Sequence, residues 1–123
     1  MSDEHDELSE SLLTALLIQY GELREACQAL PVPIQLPVGI GQIIELIEAV
    51  GRCFEIAQDQ PIPEEAQADL EMSCLHWLTA SDLIGLYRHD IGGYDHRDRA
   101  AELALLGMEL SLKSLQDWLS QQS

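Results

Sequence analysis

At 123 residues the chain is one domain's worth, since domains run to roughly 100–200. Apolar residues make up 46% of it, but with one Phe, three Tyr and two Trp the core must be built from Leu, Ile, Val and Ala. Six Lys and Arg against 22 Asp and Glu give a formal charge of −16, which excludes general nucleic-acid binding and argues against docking on an anionic membrane, both of which need clustered basic side chains.

No apolar run approaches the roughly 20 residues of a membrane span. The first ten residues carry five acids and no signal-peptide pattern; residues 1–7 read as a frayed acidic tail of a single helical domain covering 1–123. The remaining 17 acids are scattered over the chain. That distribution suits a solvated surface or attraction to a basic partner better than a one-faced mimic of nucleic acid.

The first helix is expected from about Asp6 to Leu30. Leu13, Leu16, Tyr20, Leu23, Cys27 and Leu30 recur at 3-4-3-4-3 spacing, a stripe that must be buried against other helices. Leu12 and Leu17 widen it, and Gly21 inside it suggests a close helix crossing. Pro31, Pro33 and Pro37 end the helix, because proline lacks a backbone donor and biases its predecessor away from helix. The extended segment that follows holds Val32, Ile34 and Leu36. It either straps the bundle or offers these three side chains to another chain; the strap is favoured because exposed aliphatic rows are costly.

A second helix is expected over about Gly39–Gln58, with Ile40, Ile43, Ile47, Val50, Phe54 and Ala57 as its inner stripe and Ile44, Leu46 and Ile56 as a second apolar flank. Gly39-Ile40-Gly41 lacks the third glycine of a dinucleotide loop and follows no strand pattern, so these are turn residues. Pro63-Glu64-Glu65 opens the third helix, with acids at the positive end of its dipole. That helix reaches about His89 and carries two rows: Leu70, Cys74, Trp77, Ile84 and Tyr87, then Met72, Leu75, Leu78, Leu83 and Leu86. A helix apolar on two sides is either central in its bundle or shared with a second subunit.

Gly92-Gly93 breaks the pattern, Asp95 caps the fourth helix, and that helix runs to about Leu119. Ala101, Leu105, Met108, Leu112, Leu115 and Leu119 form its inner row; Leu103, Leu106 and Leu110 form a second row. The expected fold is therefore all-α: an antiparallel four-helix bundle with a Pro-rich extended connection between helices 1 and 2. The surplus rows point to a homodimer centred on Leu103, Leu106 and Leu110.

Cys27, Cys53 and Cys74 are odd in number and lack CxxC spacing. They suit neither a disulfide framework nor a closed zinc site and read as buried free thiols of a cytoplasmic protein.

Residues 87–99 concentrate three of the six basic residues, two of the four histidines and two of the three tyrosines. Tyr and Arg often dominate interface energies, so Tyr87, Arg88, Tyr94, Arg97 and Arg99 are the candidate partner-binding residues, with Val32, Ile34 and Leu36 as a second surface. The plainer alternative is a helix corner in which Arg88 complements a helix end while Arg97 and Arg99 pair with nearby acids. A catalytic version would use His89 and His96 as acid and base with Arg88 or Arg97 on a phosphate; the net charge works against an RNA substrate. A metal version would use His89, Asp90, Asp95, His96 and Asp98, without the Glu-x-x-His of di-iron bundles. His76, between Leu75 and Trp77, is expected to be partly buried.

No phosphate loop, G-x-S-x-G turn or HExxH is present, and no catalytic residue, metal or cofactor is expected. The pattern fits a small acidic regulator or inhibitor that occludes another protein, such as one with a basic surface, in the manner of antiactivators or immunity proteins. The alternatives are a secretion-type chaperone and a small hydrolase or ribonuclease acting through residues 87–99.

Overall fold

The computed structural model describes residues 2–38, 43–88 and 96–122, and the side chains of 10–38, 43–85 and 96–122. These residues form four helices and no strand: α1 (Ser2–Gln28), α2 (Ile43–Ile56), α3 (Glu64–Arg88) and α4 (His96–Gln121). A 3-10 turn, Ala57–Asp59, extends α2.

Each helix ends where local chemistry dictates. At the end of α1 the Ala29 N–H closes onto the Ala26 carbonyl at 3.0 Å, and the Ile34 N–H folds back to the Cys27 carbonyl, also at 3.0 Å. These bonds occupy carbonyls that a helix terminus otherwise leaves without partners. Pro31 and Pro33, lacking donors, then prevent continuation. At the start of α3 the Pro63 carbonyl accepts the Gln67 N–H at 2.9 Å, while Glu64 and Glu65 occupy the first turn, as their attraction to the helix N-terminus requires.

α3 is the one helix that packs against each of the other three, most extensively against α4. Its Trp77 is wholly buried and donates its indole N–H to the Leu16 carbonyl of α1 at 2.9 Å. Its ring lies 5.6 Å from that of Tyr20, tilted by 47°. Burial therefore falls on one stripe per helix: Leu16, Tyr20, Leu23 and Cys27 from α1; Leu70, Cys74 and Trp77 from α3; Leu105, Met108, Leu112 and Leu115 from α4. These are the inner rows that the spacing selects.

The inner face of α2 is different. Leu46, Ala49, Val50, Cys53 and Ala57 are buried, Ile47 and Phe54 are half-buried, and Ile43 is exposed. The helix is thus turned by about one residue from the expected stripe. Both flanks of α2 are aliphatic, so periodicity alone does not select between them, and small side chains at 49 and 53 allow close approach. Gly21 also departs from expectation: a Cβ added there would meet nothing within 4 Å, so it marks no close crossing. The close crossing is at Gly107, where a Cβ would lie 2.8 Å from the His76 ring. His76 itself is half-buried in this seam.

Residues 31–38 contain no helix. Ile34 and Leu36 are buried with the core, while Val32 is 56% exposed. The segment is fastened along its length. Val32 donates its N–H to the Gln60 side-chain oxygen at 3.3 Å, and its carbonyl accepts from the Gln60 amide nitrogen at 2.6 Å. Arg24 donates to the Leu36 carbonyl at 3.2 Å, and the Tyr20 hydroxyl donates to the Pro37 carbonyl. Gln60 is itself buried, so this reciprocal amide pair satisfies groups that would each cost about 1–3 kcal/mol if left unpaired. Ile34 and Leu36 therefore cannot reach a partner without unseating the segment.

Candidate functional site

Leu103, Leu106 and Leu110 lie on the outer side of α4, opposite Leu105, Met108 and Leu112, and are 49%, 50% and 64% exposed. On α3, Met72 and Leu75 are similarly exposed. The two rows border one seam. Leu106 immediately precedes Gly107, Leu75 immediately precedes His76, and the His76 ring rests where a Gly107 side chain would be. A half-exposed leucine forgoes roughly 1 kcal/mol of its burial free energy, and contiguous exposed apolar surface is what marks an interaction site.

A cleft of about 450 Å³ lies between residues 32–36 and α2. Pro33, Ile34 and Leu36 line one wall, Ala49, Cys53 and Ile56 the other, and Arg52, Glu55 and Asp59 bring charge to it. Cys53 is fully buried. Its sulfur lies 3.6 Å from that of Cys27. All three thiols, one each from α1, α2 and α3, are reduced and buried. Hydrogen bonds from Cys27 and then Cys74 push the Cys53 thiol down against the opposing effect of burial. Cys27 and Cys74 are pushed up, chiefly by the same bonds to Cys53 and then by burial.

Of the residues 87–99 singled out in the sequence, the described side chains begin at His96. Arg99 makes an exposed ion pair with Glu102 at 3.2 Å, the pairing expected of a helix corner and worth no more than about 1 kcal/mol. Arg97 is half-buried and Asp98 is buried in the first turn of α4, both with partners. The side chains of Tyr87 and Arg88, and His89, Asp90, Tyr94 and Asp95 entirely, lie outside the described residues, as do Gly39, Ile40 and Gly41.

Among the described residues no group of three or more His, Cys, Asp or Glu is disposed to hold a metal ion. No helix among them is long and apolar enough to cross a membrane. Set against known proteins, the chain matches no family model, no curated protein and no solved structure.

The thiol cluster is the feature that sequence reasoning missed. Its signal is present, since each cysteine occupies a position next to or within an apolar stripe on its helix. What joins them is the rotation of α2, which brings Cys53 rather than Phe54 inward.

Proposed function

We propose that the protein is a non-enzymatic interaction module: an antiparallel four-helix bundle, strapped by residues 31–38, that pairs with a second copy of itself and occludes a partner protein. The observation that carries this reading is the outer face of α3 and α4. Leu103, Leu106 and Leu110 at the centre, with Met72 and Leu75 beside them, form an aliphatic surface that one subunit leaves uncovered. A homodimer through this face would bury it on both copies, in the self-complementary manner of a two-fold interface.

The acidic surface, −16 per chain, favours a target with a basic surface, since complementary charge speeds encounter while apolar contacts hold the complex. Arg97 and Arg99, together with Tyr87, Arg88 and Tyr94, remain the proposed recognition residues, and exposed Val32 adds to a second candidate surface. A reducing cytoplasm suits three free thiols.

Light scattering at tens of micromolar, an order-of-magnitude choice matched to ordinary protein affinities, tests the dimer. The native chain should have twice the mass of Leu106→Glu, with both chains equally helical. A native monomer overturns the dimer. If that monomer also binds an apolar-surface dye strongly, the chaperone reading replaces the present one. Affinity capture with the intact protein, identified by mass spectrometry, tests partner occlusion.

A further inference from the structure

The backbones of α1 and α2 stand apart: no Cα of one lies within 8 Å of a Cα of the other. Residues 33–36 run between them. One edge of this stretch is taken by α1, since the Ile34 N–H bonds to the Cys27 carbonyl at 3.0 Å and the Leu36 carbonyl accepts from Arg24 at 3.2 Å. The cleft of about 450 Å³ follows the other edge, with α2 as its far wall.

Burial alternates along the stretch. Ile34 and Leu36 are buried, while Pro33, Gln35 and Pro37 are exposed, which is the period of an extended chain. In such a chain successive residues direct their backbone groups to opposite edges. Those of Ile34 and Leu36 go to α1, so the N–H and carbonyl of Gln35 are directed to the cleft, and Gln35 is among the residues that line it. Among the described residues neither group has a hydrogen-bond partner. The open edge is short. Gln60 clasps Val32 at one end, and the Pro37 carbonyl is turned to Tyr20 at the other.

We propose that this edge and the facing side of α2 bind an extended segment of a partner protein, one in which aliphatic and basic residues alternate. The segment pairs with Gln35 as a neighbouring strand does, exchanging two backbone hydrogen bonds. Its aliphatic side chains pack between Val32 and Ile56, which line opposite walls of the cleft and are 56% and 44% exposed. Its lysines or arginines meet Glu55 and Asp59, both exposed on the α2 rim. These two acids outnumber Arg52 there, and the whole chain carries −16, so a cationic segment is drawn in and an anionic one repelled. The volume lies within the roughly 300–1,000 Å³ of ordinary binding pockets, enough for a short stretch of peptide and not for a folded element.

This site rests on the reading of the protein as an interaction module and names the partner's chemistry at its second candidate surface; it is independent of the α3–α4 dimer. Ile34 and Leu36 seal the core and do not reach the partner. Recognition falls to the backbone between them and to the two walls.

The test titrates the intact, isotope-labelled protein with two end-blocked peptides, Val-Lys-Val-Lys-Val and Val-Glu-Val-Glu-Val, and follows backbone amide NMR shifts. The lysine peptide should bind with a dissociation constant below about 1 mM, moving Gln35 and Arg52 to Asp59 and leaving Leu103, Leu106 and Leu110 in place. The glutamate peptide should bind at least about tenfold more weakly. Methylating the central amide nitrogen of the lysine peptide removes the donor to the Gln35 carbonyl and should weaken binding about two- to tenfold, the worth of one hydrogen bond. Gln35→Pro removes the Gln35 N–H and should do the same, while Gln35→Ala keeps the backbone and should bind as wild type. An unchanged urea midpoint establishes that Gln35→Pro is folded, and the methylated peptide repeats the test on the unaltered protein. The proposal is overturned if the lysine peptide moves no amide at millimolar concentration, if the shifts fall on the outer face of α3 and α4, if the two peptides bind alike, or if methylation changes nothing. Affinity capture keeps the two readings apart. A partner held equally by wild type and Gln35→Pro sinks this site and leaves the interaction module standing, whereas peptide binding with no partner recovered counts against partner occlusion and not against the cleft.

Discussion

Replacing Leu36 by Ala separates a strap from a docking strip. Leu36 is 4% exposed and belongs to the core, whereas Val32, four residues earlier on the same segment, is 56% exposed. Truncating a buried leucine costs about 2–5 kcal/mol, the transfer free energy of the lost carbons plus the cavity they leave. The covering segment is one extended stretch beside an open cleft, so it can settle partly into the space, placing the cost at about 2–3 kcal/mol. With a urea slope of about 1–2 kcal/mol per molar for a domain of this size, the unfolding midpoint should fall by roughly 1–3 M. Domain stabilities of about 5–15 kcal/mol leave the variant folded in buffer. Val32→Ala, an exposed truncation, should shift stability by less than about 0.5 kcal/mol. Both are read by fluorescence, since Trp77 is wholly buried and Trp118 packs half-buried against the core. If the Leu36→Ala midpoint stays within about 0.3 M of wild type, the segment does not seal the core.

Three further outcomes are expected. Gly51→Ala should stabilise by up to about 1 kcal/mol through helix propensity, because nothing lies within 4 Å of the new Cβ, whereas at Gly107 the His76 ring stands at 2.8 Å; urea titrations should show no gain for Gly107→Ala until His76→Ala is added. Burial raises the Tyr20 phenol above its ordinary value, with Arg24 opposing only in part. Its contribution to stability is therefore complete below about pH 10, where an unfolded tyrosine ionises, and is lost as pH rises through the higher folded value; Tyr20→Phe should make the urea midpoint fall less steeply with alkali. Self-association through Leu103, Leu106 and Leu110 must overcome repulsion between two chains of charge −16, so sedimentation should show the dimer tightening with added salt, while capture of a basic partner weakens. A dimer that dissociates in salt would contradict the apolar interface.

The helices were legible because strong signals agreed. Prolines at 31, 33, 61 and 63 bracket the segments, and the inner rows of α1 and α4 repeat at 3-4 spacing without competitors of equal strength. α2 was harder to read for a definite reason. Ile43, Ile44, Ile47 and Ile56 offer aliphatic surface all round, and rotation is settled by what α3 and residues 31–38 place opposite. That context lies far away in the sequence. Gly21 misled for a similar reason, since a glycine within a stripe has the same sequence signature whether or not another helix approaches it. The Gln60 clasp on Val32 was invisible because its partner atoms are backbone groups 28 residues away, which carry no side-chain signature.

The apolar face and the thiol cluster also differ in how the sequence encodes them. Leu103, Leu106 and Leu110 on α4, like Met72 and Leu75 on α3, stand out because they break the rule that an outer face is polar, and each break is legible within its own helix. The thiols break no local rule. A cysteine on an inner stripe is an ordinary small apolar residue, and each of the three sits in such a place. They adjoin only because α2 turns Cys53 inward, bringing its sulfur to 3.6 Å from that of Cys27. The same rotation leaves Phe54 half-buried and Ile44 exposed, so the larger aliphatic surface of α2 faces outward while the smaller, sulfur-bearing side faces in.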